Sequence, residues 1–93
     1  MRKYELVTIF DVDVLSIDEN KKFITDTLTT GNIKIESEQD MGQKELAYPI
    51  NEKKRGHYFL FNLETEQADL IEIEKAFKLH KGLLRYLFIR KKK

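Results

Sequence analysis

The chain has 93 residues and a formal net charge of only +1, although 35% of its residues are charged, so affinity for a polyanion would depend on where the basic residues lie. Its length fits one domain, residues 1–93, with a two-layer core. The absence of cysteine excludes disulfides, thiolate nucleophiles and the usual structural zinc sites, and is typical of a reducing compartment.

The first half of the chain predicts a strand followed by a helix. Residues 3–10 are largely apolar on both alternating faces, which favours a central strand. Ser16 with Glu19 three residues later forms a capping box that opens the helix, and Gly31-Asn32 supplies a left-handed stop. The apolar stripe of this helix is Ile17, Ile24 and Leu28.

A long β-hairpin is predicted next. Its first arm begins at residues 33–38, passes through an irregularity at Met41-Gly42 and ends at Tyr48-Pro49-Ile50. Proline cannot donate to a ladder, so this arm should lie at a sheet edge or leave the ladder at Pro49. A polar turn is expected over residues 53–56, and the apolar run of residues 57–64 predicts a strand that is covered on both faces.

The chain should close with a second helix and a fourth strand. Thr65 is the expected N-cap, with Leu70, Ile73 and Phe77 as the buried stripe and Gly82 as the stop. Residues 83–89 then read as the last strand, followed by four basic residues.

This order of elements predicts an α+β ferredoxin-like fold, βαββαβ. Right-handed crossovers give an antiparallel sheet of order 4-1-3-2 with both helices on one face. Two basic clusters should therefore lie at opposite ends of the sheet. One contains Arg2, Lys3, Arg90, Lys91, Lys92 and Lys93, and the other contains Lys53, Lys54 and Arg55.

The sheet face away from the helices is expected to be apolar. If Leu6 and Phe10 point to the helices, the opposite face carries Val7, Ile9, Tyr58, Leu60, Leu87 and Ile89. An open apolar face favours a protein partner, although scattered apolar surface residues are also normal. The basic clusters also have two interpretations. They could contact phosphates, or they could be solubilising termini and a solvated loop.

Other function classes find little support in the sequence. Asp11 and Asp13 lack the glycine and the closing glutamate of a calcium loop and suit turn chemistry, and His80 suits a helix C-terminus. No role in an active site can be filled, so no enzyme and no cofactor are expected. Without an apolar run of about 18 residues or a signal-peptide core, a cytoplasmic location is predicted, with no membrane association.

Arg55-Gly56-His57-Tyr58-Phe59-Leu60 partly matches the RNP1 pattern of RNA-recognition motifs. The match is incomplete, because that pattern has a small residue in the place of Tyr58 and an aromatic one in the place of Asn62. A free-standing protein of this kind that binds single-stranded RNA is one alternative, and a small-ligand regulatory domain of the same fold is another.

Three segments resemble the bacterial family of small-subunit ribosomal protein six. They are Met1-Arg2-Lys3-Tyr4-Glu5, the stretch from Gly42 through Leu46-Ala47-Tyr48-Pro49-Ile50, and Gly56-His57-Tyr58-Phe59-Leu60-Phe61 leading to Glu64. The resemblance covers nearly the whole chain. Family members commonly carry two basic residues before the Leu-Ala-Tyr-Pro segment, whereas this chain has Lys44 and Glu45.

The resemblance implies a structural protein of the small ribosomal subunit. It would bind the central domain of small-subunit (16S) ribosomal RNA as a heterodimer with ribosomal protein eighteen, with no small-molecule substrate. Candidate RNA contacts are Arg2, Lys3, Lys44, Lys53, Lys54, Arg55, Arg90, Lys91 and Lys92. Candidate protein-partner residues are Val7, Ile9, Tyr48, Tyr58, Leu60, Leu87 and Ile89.

Overall fold

A computed structural model describes residues 2–50 and 52–91. Its elements are β1 (Arg2–Phe10), α1 (Ile17–Thr30), β2 (Lys34–Ile50), β3 (Lys53–Thr65), α2 (Gln67–Leu79) and β4 (Leu83–Arg90). The four strands form one antiparallel sheet of order β2-β3-β1-β4. This is the predicted ferredoxin-like arrangement, with β2 and β4 at the two edges.

The core lies between one face of the sheet and the two helices. Burial alternates along β1, where Tyr4, Leu6 and Phe10 are buried while Val7 and Ile9 are only half-buried. The predicted phase of β1 is therefore confirmed. The other buried apolar side chains are Ile24, Leu28, Ile33, Phe59, Phe61, Leu63, Leu70, Ile73 and Phe77.

The core contains the buried hydroxyl group of Thr8. Thr8 is fully buried at the centre of β1, opposite Phe59 on β3 and Tyr86 on β4. Within residues 2–50 and 52–91, its Oγ1 is a buried side-chain oxygen that has no hydrogen-bond partner. Such an atom loses its hydration without compensation, which costs about 1–3 kcal/mol.

The first helix begins and ends where the sequence predicts. The backbone N–H of Glu19 donates to Ser16 Oγ at 3.1 Å, and the Ser16 hydroxyl donates to the Glu19 carboxylate at 3.0 Å. At the other end Asn32 takes the left-handed conformation, with φ 61°. The stop therefore uses Asn32, whose short polar side chain tolerates this region better than most.

Both predicted ends of the second helix are wrong. Thr65 is not the N-cap, because it is buried as the last residue of β3, opposite Arg2, and α2 starts only at Gln67. The helix also ends at Leu79, before Gly82. Gly82 instead provides room for close packing, since an added Cβ would lie 2.1 Å from Asn20 Oδ1.

His80 connects the two helices. Its Nε2 lies 2.8 Å from Asn20 Oδ1, and its ring stacks on Phe23 with 3.9 Å between centroids. The Asn20 amide nitrogen donates in turn to the Leu15 carbonyl. An oxygen acceptor at 2.8 Å requires a proton on Nε2. Burial lowers the pKa of His80, which favours the neutral ring.

The hairpin differs from the prediction in its turn. Residues 53–56 belong to β3, with Gly56 opposite Lys44 and Arg55 opposite Glu45, so the turn predicted over 53–56 is wrong. Glu52, with φ 67°, lies in the actual turn, and Asn51 is outside the described residues. The predicted irregularity at Met41-Gly42 is confirmed by a register shift there.

The end of β2 leaves the ladder. Five residue steps separate Glu45 from Ile50 on β2, whereas two steps separate their partners Arg55 and Lys53. Between these two pairs β2 has four residues and β3 has one, so β2 has a surplus of three, and we call residues 46–49 the overhang. The prediction that β2 is an edge strand which leaves the ladder near its proline is confirmed.

Glycine lets the overhang approach the sheet. An added Cβ at Gly56 would lie 2.4 Å from Ile9 Cγ2 and 3.7 Å from Leu46 Cδ2. Because the next residue, His57, is buried towards the helices, that Cβ would point to the opposite face. The overhang therefore sits on the sheet face away from the helices.

Candidate protein and nucleic-acid interface

The face away from the helices, which we call the open face, has an apolar centre. Val7 lies between Leu60 on β3 and Leu87 on β4 in the strand register. Next to this row, Ile9 lies opposite Tyr58. Leu87 and Ile89 are 56% and 44% exposed. The structure thus places all six strand residues predicted for a protein partner on one surface.

Polar contacts border this centre at the end where β1 begins. Asn62 donates to Ser37 Oγ at 2.8 Å and accepts a hydrogen bond from the Lys91 ammonium group. Lys3 lies 3.5 Å from the Glu36 carboxylate. The two lysines are therefore partly engaged within the protein, and the open face has a polar rim on this side.

Tyr48 closes the other end of the open face. The residue belongs to the overhang, at one edge of the sheet, yet its hydroxyl accepts a hydrogen bond of 2.5 Å from Arg85 on the opposite edge strand. The Arg85 guanidinium also lies 5.9 Å from the centroid of the Tyr48 ring. Tyr48 itself is 59% exposed.

Lys44 covers the aromatic ring that the RNP1-like segment would offer to a base. Its Nζ lies 5.8 Å from the centroid of the Tyr58 ring, and Tyr58 is half-buried. A base that stacked on this ring would have to displace the ammonium group. The arrangement favours a charge at this point of the face over an exposed stacking platform.

The basic cluster formed by the two chain ends is assembled as predicted within the described residues. Tyr4 pairs with Arg90 in the β1–β4 ladder, and the Lys91 N–H donates to the Lys3 carbonyl at 2.9 Å. Arg2 and Arg90 are exposed and, among residues 2–50 and 52–91, form no ion pair. Lys92 and Lys93, the other two members of the predicted cluster, lie outside the described residues.

The hairpin cluster is divided by charge pairing. Lys53 Nζ lies 3.1 Å from Asp13 and 3.7 Å from Asp11, and the hydrogen bond to Asp13 followed by the charge of Asp11 raises the pKa of Lys53. Lys54 and Arg55 are exposed, and neither forms an ion pair with any other described residue. Among the described residues of this cluster, the positive charges without an ion-pair partner thus lie on Lys54 and Arg55.

Asp11 and Asp13 have structural roles in the described part of the chain. The Asp13 N–H donates to Asp11 Oδ1 at 2.9 Å, which is the turn chemistry that the sequence suggests. No group of three potential metal ligands occurs within residues 2–50 and 52–91. The two carboxylates bind Lys53 instead, a partner that the sequence did not indicate.

His57 also has a structural partner, on the helix side of the sheet. Its Nε2 lies 2.5 Å from Asp40 Oδ1, and the Gly42 N–H donates to the same oxygen at 2.9 Å. The Gly42 hydrogen bond, and after it the His57 imidazole, lower the pKa of Asp40. These contacts fix the bulge in β2.

The hollows of the surface are shallow. One of about 250 Å³ on the open face is lined by Val7, Ile9, Arg85, Tyr86 and Leu87, and one of about 380 Å³ separates the helices. Both open broadly to solvent. In the described part of the chain, no helix has the length and apolar character needed to cross a membrane.

Comparison with known families identifies the chain. The sequence profile described as Ribosomal protein S6 matches residues 3–90. The chain belongs to the ribosomal protein S6 family. The resemblance drawn from the hairpin and the N-terminus is confirmed, and S6 is a ribosomal protein with a structural rather than a catalytic role.

Relatives of the S6 family match over the full chain. Small ribosomal subunit protein bS6 of Treponema denticola is 40% identical over 90 residues, which are 97% of this chain and 97% of that protein. Small ribosomal subunit protein bS6 of Variovorax paradoxus is 36% identical over 100% of this chain and 76% of its own length. The predicted cytoplasmic, ribosomal location is confirmed by this membership.

Solved structures agree with the fold. The 30S ribosomal protein S6 of Thermotoga maritima superposes with a TM-score of 0.80 at 21% identity, covering 97% of this chain and 87% of that one. The C-terminal domain of MgtC from Mycobacterium tuberculosis superposes with a TM-score of 0.64 at 10% identity, covering 98% and 88%. At these identities the similarity shows the fold alone.

Proposed function

We propose that this chain is a structural constituent of the small ribosomal subunit. It binds the central domain of 16S ribosomal RNA as a heterodimer with ribosomal protein eighteen. The observation that carries the proposal is the combination of an apolar open face with exposed cations at both ends of the sheet that form no ion pair with another described residue. The open face suits a protein, and the cations at the ends of the sheet suit a phosphate backbone.

The apolar centre of the open face supports the protein partner. Leu87 and Ile89 expose about half of their surface, and Val7 and Leu60 lie beside Leu87 in the register. A contiguous apolar patch with a polar rim is the usual anatomy of a protein interface. The hydrogen-bonded row of Lys91, Asn62 and Ser37 supplies such a rim.

The exposed cations that form no ion pair with another described residue support RNA binding. Arg2 and Arg90 lie at one end of the sheet, and Lys54 and Arg55 lie at the other. The two ends are about 25–30 Å apart, the length of a nine-residue strand. Each phosphate that a cation neutralises releases a counterion, which contributes a salt-dependent increment of affinity. Two separated footprints suit a folded RNA better than a short single strand.

The two alternative functions receive less support. A free-standing protein that stacks single-stranded RNA on its sheet would need an accessible Tyr58 ring, which Lys44 covers. A small-ligand domain would need an enclosed pocket, and the hollow on the open face is broadly open. The proposed heterodimer accounts for both the open face and the cations at the two ends of the sheet. Joining two weak surfaces raises affinity through effective concentration.

A salt titration of binding tests the proposal. Affinity for a central-domain fragment of 16S ribosomal RNA is measured from low to high salt, with and without ribosomal protein eighteen. We expect a steep salt dependence and a large gain from the partner. A flat salt dependence, or equal affinity without the partner, would contradict the proposal. Loss of binding in Tyr58→Ala without any partner present would favour the stacking alternative.

A further inference from the structure

Tyr48 is an exposed aromatic residue whose hydroxyl contacts a side chain on the far edge of the sheet. It belongs to the overhang, which has no ladder partner on β3. An exposed tyrosine on such a segment would ordinarily sample several rotamers and lose that freedom on binding. Here its hydroxyl is fixed by Arg85 at 2.5 Å, with the guanidinium 5.9 Å from the ring centroid.

The position of Arg85 makes the contact a link across the whole sheet. Arg85 lies opposite Ile9 on β4, whereas Tyr48 belongs to β2, and β3 and β1 lie between these edges. Arg85 also lines the hollow formed with Val7, Ile9 and Leu87. Because its hydroxyl contacts Arg85, the Tyr48 side chain reaches towards the apolar centre of the open face.

We propose that Arg85 is a positioning residue that pre-organises Tyr48 as the aromatic anchor of the protein-partner surface. The inference rests on the proposed heterodimer and names how one side of its interface is built. Tyrosine is enriched among the residues that dominate binding energy, because it buries a large rigid ring and keeps a polar tip. Fixing that ring beforehand reduces the ordering cost of association.

The proposal differs from a direct role for Arg85 in the interface. If Arg85 acts through Tyr48, removing either side chain should impair binding, and removing Arg85 should have no further effect once Tyr48 is absent. If Arg85 contacts the partner itself, the two losses should add. A double-mutant cycle on partner affinity therefore separates the two roles.

The experiment uses the full chain and purified ribosomal protein eighteen. Affinity is measured by calorimetry for the wild type, Tyr48→Ala, Arg85→Ala and the double variant. We expect Arg85→Ala to weaken binding roughly three- to tenfold, Tyr48→Ala to weaken it more, and the double variant to equal Tyr48→Ala. Tyr48→Phe should reproduce most of the Arg85→Ala loss, because it keeps the ring and removes the hydroxyl that accepts the hydrogen bond from Arg85.

A matched control separates positioning from stability. Tyr86→Phe removes the hydroxyl of a tyrosine on the same strand whose ring packs against Phe77 on the helix side, so it should not change partner affinity. Urea unfolding of every variant is measured in parallel. Additive losses, or an unchanged affinity in Arg85→Ala, would overturn the inference. No binding of the wild type would instead refute the proposed function.

Discussion

Lys53 and Asp13, forty residues apart in the chain, form an ion pair of 3.1 Å between Nζ and Oδ2. Lys53 belongs to the hairpin cluster with Lys54 and Arg55, and this contact pairs its charge with a carboxylate inside the protein. Asp11 adds a second carboxylate at 3.7 Å. The three cations of the hairpin cluster should therefore contribute unequally to RNA affinity.

The unequal contributions of Lys53 and Arg55 can be measured from the salt dependence of RNA binding. Because an unpaired cation can neutralise a phosphate, Arg55→Ala should reduce the log–log salt slope of RNA binding by about 0.9. Lys53→Ala should change the slope much less, because its charge is already balanced by two carboxylates. Filter binding at several salt concentrations makes the comparison. An equal change in both variants would show that RNA displaces the carboxylates from Lys53.

The apolar centre of the open face should be necessary for the protein partner. Leu87→Glu places a charge beside Val7 and Leu60, and we expect it to weaken the heterodimer about tenfold or more. The stability of the free chain should hardly change, because Leu87 is 56% exposed. Affinity is measured by calorimetry and stability by urea unfolding.

Leu79→Glu is the matched control for this surface. Leu79 is 83% exposed and ends α2, on the other side of the sheet. The substitution introduces the same charge at a leucine that is even more exposed than Leu87, so the heterodimer should keep its affinity. If both variants weaken binding to the same degree, the partner does not recognise the open face.

Thr8→Val should make the protein more stable. The Thr8 hydroxyl is buried without a partner among the described residues, and valine has nearly the same shape without the polar oxygen. We expect the free energy of unfolding to rise by about 1–2 kcal/mol. A domain of this size then unfolds about 4–8 °C higher for each kcal/mol.

Thr65→Val provides the opposite case. Thr65 is also fully buried, but its hydroxyl donates to the Glu66 carbonyl at 3.3 Å. Removing that donor should lower stability, whereas the change at Thr8 should raise it. Thermal unfolding of both variants checks the pair. A loss of stability in Thr8→Val would mean that its hydroxyl is solvated within the core.

His80 should make stability depend on pH near neutrality. Burial lowers its pKa from 6.5 in the folded state, so protons bind more readily to the unfolded chain. The contribution is therefore complete above about pH 6.5 and is lost as pH falls through the lower folded value. The Asp40 carboxylate, whose pKa is lowered from 3.8, acts in a separate and more acidic window.

Replacing the imidazole isolates this effect. His80→Gln keeps a side-chain donor for Asn20 and has no titrating group, so its stability should vary less between pH 7.5 and pH 5 than that of the wild type. Urea unfolding at the two pH values measures the difference. Equal pH dependence in both proteins would assign the effect to other groups.

Local chemistry explains which parts of the fold were predictable. The Ser16–Glu19 capping box, the stop at Asn32 and the alternation along β1 each depend on residues within one element. The turn predicted over residues 53–56 was wrong because three charges and a glycine suit a turn as well as a strand. Pairing with Lys44 and Glu45 on the neighbouring arm decides for the strand.

For the candidate site, the sequence predicted on which face of the sheet the residues lie, but not which side chains they contact. Strand alternation assigned Val7, Ile9 and Leu87 to one face, because their side chains follow the pleat. The partner of Tyr48 was missed, since Arg85 becomes its neighbour only when the overhang crosses the sheet. The carboxylates beside Lys53 were missed for the same reason: no local pattern records a contact made through the tertiary fold.

Because of the overhang, the position of Tyr48 on the open face can vary independently of the register in which β2 pairs with β3. Its surplus residues lie between two paired positions, Glu45 with Arg55 and Ile50 with Lys53. Shortening this segment by one residue would shift Tyr48 away from Arg85 while the pairing of Gly42 with Tyr58 kept its register. The length of this segment can therefore change the shape of the interaction surface without changing the alignment of the sheet below it.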